Sequence, residues 1–586
     1  MLIRHCEGTR AFLFTVFSSL LIFLPVETFA KNRNLYFAQS SSESSKNPNE
    51  GVSNDRSPDN EIKKRPTPQI HSKKNTLKKY ASEKPDIVLT NTLELTLKDV
   101  IAQTLKNNVA IAVQEFQSKI RKEEIITQES VFDPTLSLES KWSDSTVQSA
   151  SVFINPPINK NKAQTWELRF DQKLKFGTEY GISFRGQKDK TSNSLTPLNP
   201  QYTTLAEISF TQPLLKNFGL DINKSNIYIA NNNLDISDFD FKNKVIEVVA
   251  DSENVYWDLV FSLEDLKVQQ KSVERAKDLE RRVKAQVEVG TMAPLEILQA
   301  KSEVASREEA VIQAHKLIQD NQDKLKNILN IPFDSPEGLK EIQPLDSPKF
   351  LVEAPVSLRD SILTAIKKRP DYLKKRKELS NKHIQVKFNE NQLYPSLDLV
   401  GSFGLNGISG TTIPVRNFNP PPLTVTSPFG GNYGESIDNA FSGDYPSWEA
   451  GLVFKFPLGN REAKSRLAVS KLETAQILMS IKDLEKTIVV EVREAARLIN
   501  TNKKRVQAAR VARKLAEEKL SAEEKKFEVG LSTSFNVLEF QTDLAEEQSK
   551  ELQAIVDFNK SKIKLRKVLA TTLEEYDIQM ASDSSP

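Results

Sequence analysis

The chain has 586 residues, 38% of them apolar, with a single cysteine, and is long enough for several ordinary domains. Its formal net charge of +3 conceals a basic segment: residues 31–85 carry 12 Lys and Arg against 6 Asp and Glu, residues 1–30 balance to zero, and the remaining 501 residues sum to −3. That balance leaves no nucleic-acid footprint, and because Cys6 precedes the first apolar run, disulfides, thiol catalysis and thiolate metal sites are excluded once the leader is removed.

Residues 1–30 are predicted to be a signal peptide. Arg4 and Arg10 lie in the n-region, the apolar run Ala11–Val26 follows, and Thr28-Phe29-Ala30 offers a cleavage site. The alternative is an uncleaved anchor, but a run of 16 is short against the roughly 20 residues a bilayer span needs. Residues 31–88, rich in Ser, Asn, Lys and Pro, hold too little apolar content to fold and are predicted to be disordered. Their basic charge reads as solvation, with weak attraction to anionic surfaces as the sharper alternative. After Ala30 no stretch approaches 18 consecutive apolar residues, so no transmembrane helix is expected. Strands of a closed barrel would leave a much weaker signal.

The first ordered elements read as helices, Leu95–Asn107 and Val109–Val131, with Asp133-Pro134 stopping the second. A region of period two follows. Leu136, Leu138 and Trp142 alternate with polar residues, as do Trp166, Leu168, Phe170, Leu174 and Phe176, then Ile182 and Phe184, then Ala206, Ile208 and Phe210. Alternation puts such side chains on one face of a strand. Asn155-Pro156-Pro157 and Phe176-Gly177-Thr178 read as turns between them.

From about Asn223 the period changes to steps of three, four and seven, through Val245, Val248, Ser252, Val255, Leu259, Leu266, Val273, Ala276, Val283 and Val287. This predicts one very long amphipathic helix ending near Gly290, then a second from Pro294 to about Asn330. The same order returns. Helices are expected over Pro355–Lys368 and Pro370–Leu393, and Leu397, Leu399, Phe403 and Leu405 alternate. A loop rich in Gly, Pro and Asn fills roughly 406–444, and Trp448, Leu452, Phe454 and Phe456 form a returning strand. A helix from about Asn460 to Val529, broken at Gly530, is followed by a last one carrying Phe535, Leu538, Ala545, Leu552, Val556 and Ile563.

The punctuation repeats with the pattern. Pro134 and Pro395, Pro213 and Pro457, and Gly290 and Gly530 are offset by 261, 244 and 240 residues. Internal duplication is therefore expected. The predicted organisation is a signal peptide over 1–30, a tail over 31–88, a first repeat over 89–345 (strands 134–214, helical hairpin 223–330), a second over 346–575 (strands 395–457, hairpin 460–573), and a tail over 576–586. The Phe170–Phe184 segment has no counterpart in the second half; it lengthens a barrel wall or forms a lid.

Helices of roughly 65–70 residues would be about 100 Å long, which no compact core can use; narrow apolar stripes suit side-by-side, coiled-coil packing. A few strands per half cannot close a barrel, and an open edge is forbidden in lipid. Oligomerisation is therefore expected, each protomer supplying a sector of the wall. The fold class expected is α+β: a β-barrel sector plus a long α-helical coiled-coil tunnel with an internal two-fold repeat.

This order resembles the TolC outer-membrane efflux family over about residues 90–575. The signatures are the strand starts Asp133-Pro134-Thr135-Leu136 and Tyr394-Pro395-Ser396-Leu397, and the strand exits Thr211-Gln212-Pro213-Leu214-Leu215 and Phe456-Pro457-Leu458-Gly459. To these are added the hairpin tips, Val289 to Ala300 and Val529 to Glu539. The resemblance implies a homotrimer with its barrel among outer-membrane lipid and its helices in the periplasm, a passive export duct of a tripartite efflux or type I secretion system. It also implies a periplasmic adaptor (membrane fusion) protein and an inner-membrane pump of RND or ABC type, with no cofactor and no catalytic residues.

Carried over residue by residue, the family's docking tips fall on Gly290, Thr291 and Met292 and on Gly530, Leu531, Ser532 and Thr533. Its two acidic gate positions fall on Asn536 and Glu539, so only Glu539 would ring the constriction with charge. Links that hold the closed state in the best-known member fall on Glu296, Phe527 and Ser532. Glu296 keeps the acid, Phe527 lacks a tyrosine hydroxyl and Ser532 replaces an arginine, so that lock cannot form unchanged. The bland readings are a solvated Glu539 and glycines that merely terminate helices.

Other candidates carry less. His71, His315 and His383 are scattered without metal spacing. The glycine-rich run Gly401–Gly407 follows a strand and reads as barrel turn chemistry, not a phosphate cradle. Trp142, Trp166 and Trp448 suit a membrane interface or a packed core. The competing class is a periplasmic helical scaffold or adaptor without a pore; an enzyme is more distant, since no triad, metal cluster or paired-carboxylate cleft is visible.

Overall fold

The structure is a computed structural model that describes residues 92–148, 158–193, 195–350, 357–416 and 424–579. The predicted signal peptide, the tail before residue 89, the turn at 155–157 and residues 580–586 lie outside the described residues. In chain order, β1 (Thr92–Leu95), α1 (Leu97–Asn107) and α2 (Val109–Glu129) lead into β2 (Thr135–Gln148), β3 (Ile158–Lys173), β4 (Glu179–Thr191) and β5 (Leu198–Pro213). A short α3 (Leu220–Asn223) precedes a hairpin of α4 (Ser225–Glu288) and α5 (Leu295–Ile328). Next come β6 (Glu341–Pro344), α6 (Leu358–Lys368), α7 (Pro370–Asn391), β7 (Ser396–Thr412), β8 (Val415–Arg416), β9 (Thr424–Val425), α8 (Tyr433–Phe441) and β10 (Pro446–Lys455). A second hairpin of α9 (Arg461–Glu528) and α10 (Ser534–Leu569), then α11 (Thr572–Glu575), completes the described chain.

Local chemistry sets the boundaries. Thr96 and Asp99 form a reciprocal capping box at α1, and the Asn108 side chain caps α2. Pro370 opens α7, where its missing N–H costs nothing. The chain's first described element is a strand that the helical reading of Leu95–Asn107 overran: β1 pairs in parallel with β6, 249 residues later from Thr92 to Glu341. Four-residue strands are too short to show a period.

Six strands form one antiparallel sheet in the order β10-β7-β5-β4-β3-β2. The pleat separates two chemistries. Trp448, Phe403, Ile208, Ile182, Phe170 and Leu136 lie side by side across all six strands, and the neighbouring row on that face is Pro446, Leu405, Ala206, Phe184, Leu168 and Leu138. The opposite face carries Ser447, Gly404, Glu207, Ser183, Arg169 and Ser137 in register. Much of the apolar face is bare: Trp448 is 76% exposed and Leu138 74%. The Phe170–Phe184 segment belongs to β3 and β4, two inner strands of this sheet, so it extends the sheet.

The stretch read as a loop over 406–444 is more ordered than its composition suggests. β7 runs on to Thr412, and α8 lies across β5 and β7, with Thr204 Oγ1 and Ser436 Oγ 2.8 Å apart and buried. The Gly401–Gly407 run is therefore strand interior, not a turn. At Gly407 a methyl group would lie 1.8 Å from the Ser436 carbonyl oxygen, so the helix packs directly on bare backbone.

The long helices contain 64 and 68 residues, which is about 96 and 102 Å of helix. α4 packs along α5 and α10, α9 packs along α10, and α7 touches both α4 and α9. Midway along α4, beside the two-stranded β1–β6 sheet, the Tyr256 hydroxyl donates to Asp346 Oδ2 at 2.7 Å while the same oxygen accepts from Leu97 N at 2.8 Å. Nearby, Glu253 is fully buried and accepts from Arg566 (2.6 Å) and the Tyr576 hydroxyl (2.8 Å) through one oxygen, while its other oxygen has no partner. Burial pushes its carboxyl above the ordinary range; Arg566 and Tyr576 pull the other way.

A raised folded-state pKa means that the native chain holds this proton more tightly than the unfolded chain. Its stabilising contribution is full below the ordinary carboxylate pKa and is lost as pH rises through the folded value. Glu253→Gln should flatten that part of the stability–pH profile, measured by thermal denaturation from mildly acidic to neutral pH. A profile unchanged from the wild type would show that Glu253 does not titrate there.

Candidate functional site

The two hairpin ends are built alike from backbone upward. α4 and α9 each end in the same hydrogen-bonded cap: Gly290 N donates to Val287 O (3.0 Å) and Thr291 N to Gln286 O (2.9 Å), while Gly530 N donates to Phe527 O (3.0 Å) and Leu531 N to Lys526 O (2.8 Å). Both glycines sit at φ +75°. A side chain there would meet no neighbour, so glycine is required by the left-handed backbone and not by crowding.

The tips expose apolar side chains to solvent. Leu531 is 78% exposed, and Val289, Leu295, Leu298, Val529 and Phe535 are also mostly exposed. Thr291 and Thr533 are exposed, and Thr533 caps α10 by accepting from Asn536 N. Met292 instead packs partly into the core beneath the tips, beside Val287 and Ile297.

The five gate candidates separate into distinct environments. Phe527 is buried at 4% exposure among Leu279, Val283, Leu520, Val537, Leu538 and Leu544, so it packs the two hairpins together. Glu296 accepts from the buried hydroxyl of Ser534, a contact from α5 to the start of α10. Ser532 donates to Glu523 Oε1 at 2.6 Å and accepts from Asn536 Nδ2 at 3.4 Å. The Ser532 hydroxyl, then the Lys526 ammonium, hold the Glu523 carboxylate below its ordinary range. Glu539 is exposed one turn further along α10, without an ion pair among the described residues. The structure thus brings Ser532, Asn536 and Glu523 together and leaves Glu539 apart.

The strongest link between the hairpins is one that the family resemblance does not provide. Arg307 of α5 is 6% exposed. It donates to Glu303 (2.9 Å), to the carbonyls of Ser272 (3.1 Å) and Leu538 (2.9 Å), to Gln541 (3.2 Å) and to Thr542 (3.0 Å). One guanidinium therefore joins α4, α5 and α10 with its planar fork of donors. Burial lowers its pKa, and Glu303 opposes that effect. The signal was available in the pattern: Ala300, Val304, Arg307, Ala314 and Ile318 are all buried on one stripe of α5, and an arginine in such a register must satisfy its charge inside.

Among the described residues there is no cluster of His, Cys, Asp and Glu fit to hold a metal, and no helix is long and apolar enough to cross a membrane.

A sequence model described as outer membrane efflux protein matches residues 179–330 and 362–571. The match begins at the first residue of β4, leaving β2 and β3 ahead of it. No curated protein matches the chain. Among solved structures, the CmeC outer membrane channel of Campylobacter jejuni is 13% identical, covers 83% of this chain and 90% of its own, and has a TM-score of 0.58. The outer membrane protein VceC of Vibrio cholerae is 13% identical, with 81% and 96% covered and a TM-score of 0.57. The MtrE outer membrane channel of Neisseria gonorrhoeae, solved in an open state, is 14% identical, with 81% and 88% covered and a TM-score of 0.56. At these identities the likeness is one of fold.

Replacing Arg307 by Met should leave Glu303 and the Leu538 carbonyl without their buried donor, at about 3 kcal/mol. The expected readout is faster proteolysis at the tips and a lowered melting temperature. Arg307→Lys should rescue only part, because an ammonium cannot span the same acceptors. Tips as resistant as the wild type in the Met variant would remove Arg307 as the coupling residue.

Proposed function

The chain belongs to the outer membrane efflux protein family, and we propose that it is the outer-membrane duct of a tripartite efflux or type I secretion system. The observation that carries this reading is the six-stranded sheet with one apolar face, bare apart from the part that α8 covers, and two edges unpaired among the described residues, set at one end of helices about 100 Å long. In lipid, every backbone N–H and C=O needs a partner. Edge β2 is exposed at every residue, and β10 is the other edge. Alternating strand directions leave β2 antiparallel to the β10 of an adjacent copy, so closure keeps one antiparallel sheet throughout.

Three copies then supply eighteen strands, an even number as bacterial barrels require. The apolar face turns to lipid and the polar face lines the lumen. The helical hairpins continue the barrel into the periplasm as a tunnel, and the halves 89–345 and 346–575 act as two copies of one design. The exposed apolar tips, with Gly290, Thr291, Met292, Gly530, Leu531, Ser532 and Thr533, dock a periplasmic adaptor that couples the duct to an RND- or ABC-type pump. The pump supplies the energy; this chain performs no reaction.

At the gate, Glu539 has no ion pair among the described residues and is exposed, free to face the axis, where three copies form a carboxylate ring. Contacts from Ser534 to Glu296 and from Ser532 to Glu523 hold the tips in place of the polar lock that Phe527 and Ser532 cannot form.

Two experiments test the reading. With Ser447→Cys in β10, cysteines introduced in turn at Ser137, Ser143 and Ser145 of β2 should give one register that oxidises to a covalent trimer. No cross-link in any register would exclude closure through these edges. In planar bilayers the trimer should show discrete conductance, and Glu539→Gln should lower its cation preference without abolishing conduction. Unchanged selectivity would place the constriction elsewhere.

A further inference from the structure

Beyond its aromatic positions, the apolar face of the sheet changes character. By register, Lys160 and Lys162 of β3 and Lys188 and Lys190 of β4 share the face of Trp166, Leu168 and Phe184. They lie at the strand ends remote from the helices, since β2 leaves the helical region at Thr135 and pairs there with Asp171, at the other end of β3. All four are exposed. Lys162 stands directly opposite Lys190, an arrangement that destabilises a sheet.

Counter-charge on this face is sparse. Asp144 of β2 lies 2.9 Å from Lys162, with both side chains largely exposed. Glu435 and Asp438 of α8 are exposed and pair with none of the four lysines. Asp189, between Lys188 and Lys190, points to the opposite face, where it accepts from Gln187. Lys188 sits over the ring of Tyr202 at 5.8 Å. Among the described residues, Asp144 is thus the one carboxylate that pairs with any of the four ammonium groups.

The depth of the patch identifies its occupant. Lys162 is four residues from Trp166, and Lys188 four from Phe184, which is about 13 Å along a strand. In a barrel wall the apolar band gives way to an aromatic girdle and then to the polar headgroup layer. Long lysine stems can cover the upper apolar surface while the ammonium groups reach that layer.

We propose that Lys160, Lys162, Lys188 and Lys190 form a binding site for the phosphate groups of an anionic, phosphorylated lipid in the outer leaflet. Acyl chains of the same molecule lie along the exposed Leu138, Trp142 and Leu168, beside the part of the face that α8 covers at Phe184, which gives a lipid a reason to prefer this face that a soluble anion lacks. The site rests on the closed-barrel reading, since closure is what turns the part of this face that α8 leaves bare toward the bilayer.

The test uses the detergent-purified full chain, shown first to be a trimer and then mixed with phosphatidylcholine vesicles containing lipid A. Lipid A retained per protomer after repurification is read by mass spectrometry. Replacing the four lysines by Gln should lower retention about tenfold. The four-fold Arg variant should retain it, and Lys141→Gln on the polar face should behave as wild type. Should the Gln variant fail to trimerise, Lys162→Gln with Lys190→Gln, together with a fall of wild-type retention as salt is raised, carries the same test.

Wild-type retention in a trimeric Gln variant overturns the site. Displacement of lipid A by inorganic phosphate at matched ionic strength overturns it as well, showing a general anion patch only. A wild-type chain that never forms trimers defeats the closed-barrel reading instead, and that result is read before any lipid is added.

Discussion

Unpaired backbone is the constraint on which the rest of this molecule depends. A six-stranded antiparallel sheet leaves two rows of N–H and C=O groups at β2 and β10, and water satisfies such rows only outside a bilayer. The sheet's own chemistry rules out water on one side: register aligns Trp448, Phe403, Ile208, Ile182, Phe170 and Leu136 in a single apolar row. A surface with bare aromatics on one face and Glu207, Arg169 and Ser183 on the other is stable between lipid and an aqueous lumen. The proposed assembly and pore follow from the need to pair these two edges.

The helical part answers a different demand. Helices of this length gain little from a compact core, so they are held by narrow seams with polar groups set into them. Buried Arg307 and Glu253 are the clearest cases. Each charge is costly to desolvate and is offset only by several well-placed partners, which makes these positions junctions between helices and not generic packing. Arg307 gathers α4, α5 and α10 near the tips, whereas Glu253 gathers α4, α10 and α11 nearer the sheet. The tips themselves are capped by backbone geometry, leaving their apolar side chains free for a partner.

The family match begins at β4, yet β2 and β3 are continuous with the rest of the sheet through full-length registers. β2 and β3 widen the sheet, and of the four lysines on its apolar side Lys160 and Lys162 lie ahead of the match while Lys188 and Lys190 lie within it.

Much of the architecture could be read without coordinates, because it rests on periodicity. Alternation at Leu136, Leu138 and Trp142 and heptad-like steps from Val245 to Val287 are local consequences of backbone geometry. Gly290 and Gly530 announced the hairpin ends for the same reason: a left-handed cap is a demand on one residue. Contacts between segments distant in the chain were not legible. The β1–β6 pair joins four-residue strands too short for a pattern. α8 was hidden because the positions beneath it, Gly407 and Ser409, are small where strand signals are normally large. Asn536 and Ser532 meet Glu523 nine residues before Ser532, and Ser534 meets Glu296 across 238 residues. The sequence by itself determined which faces are apolar and where the backbone turns, since those depend on neighbours within one or two turns of chain. Only the tertiary structure decided that six strands share one sheet, which charges lie on its apolar side, and which buried arginine ties the hairpins together. Those outcomes depend on register between distant segments, and register is set by packing that no local pattern encodes.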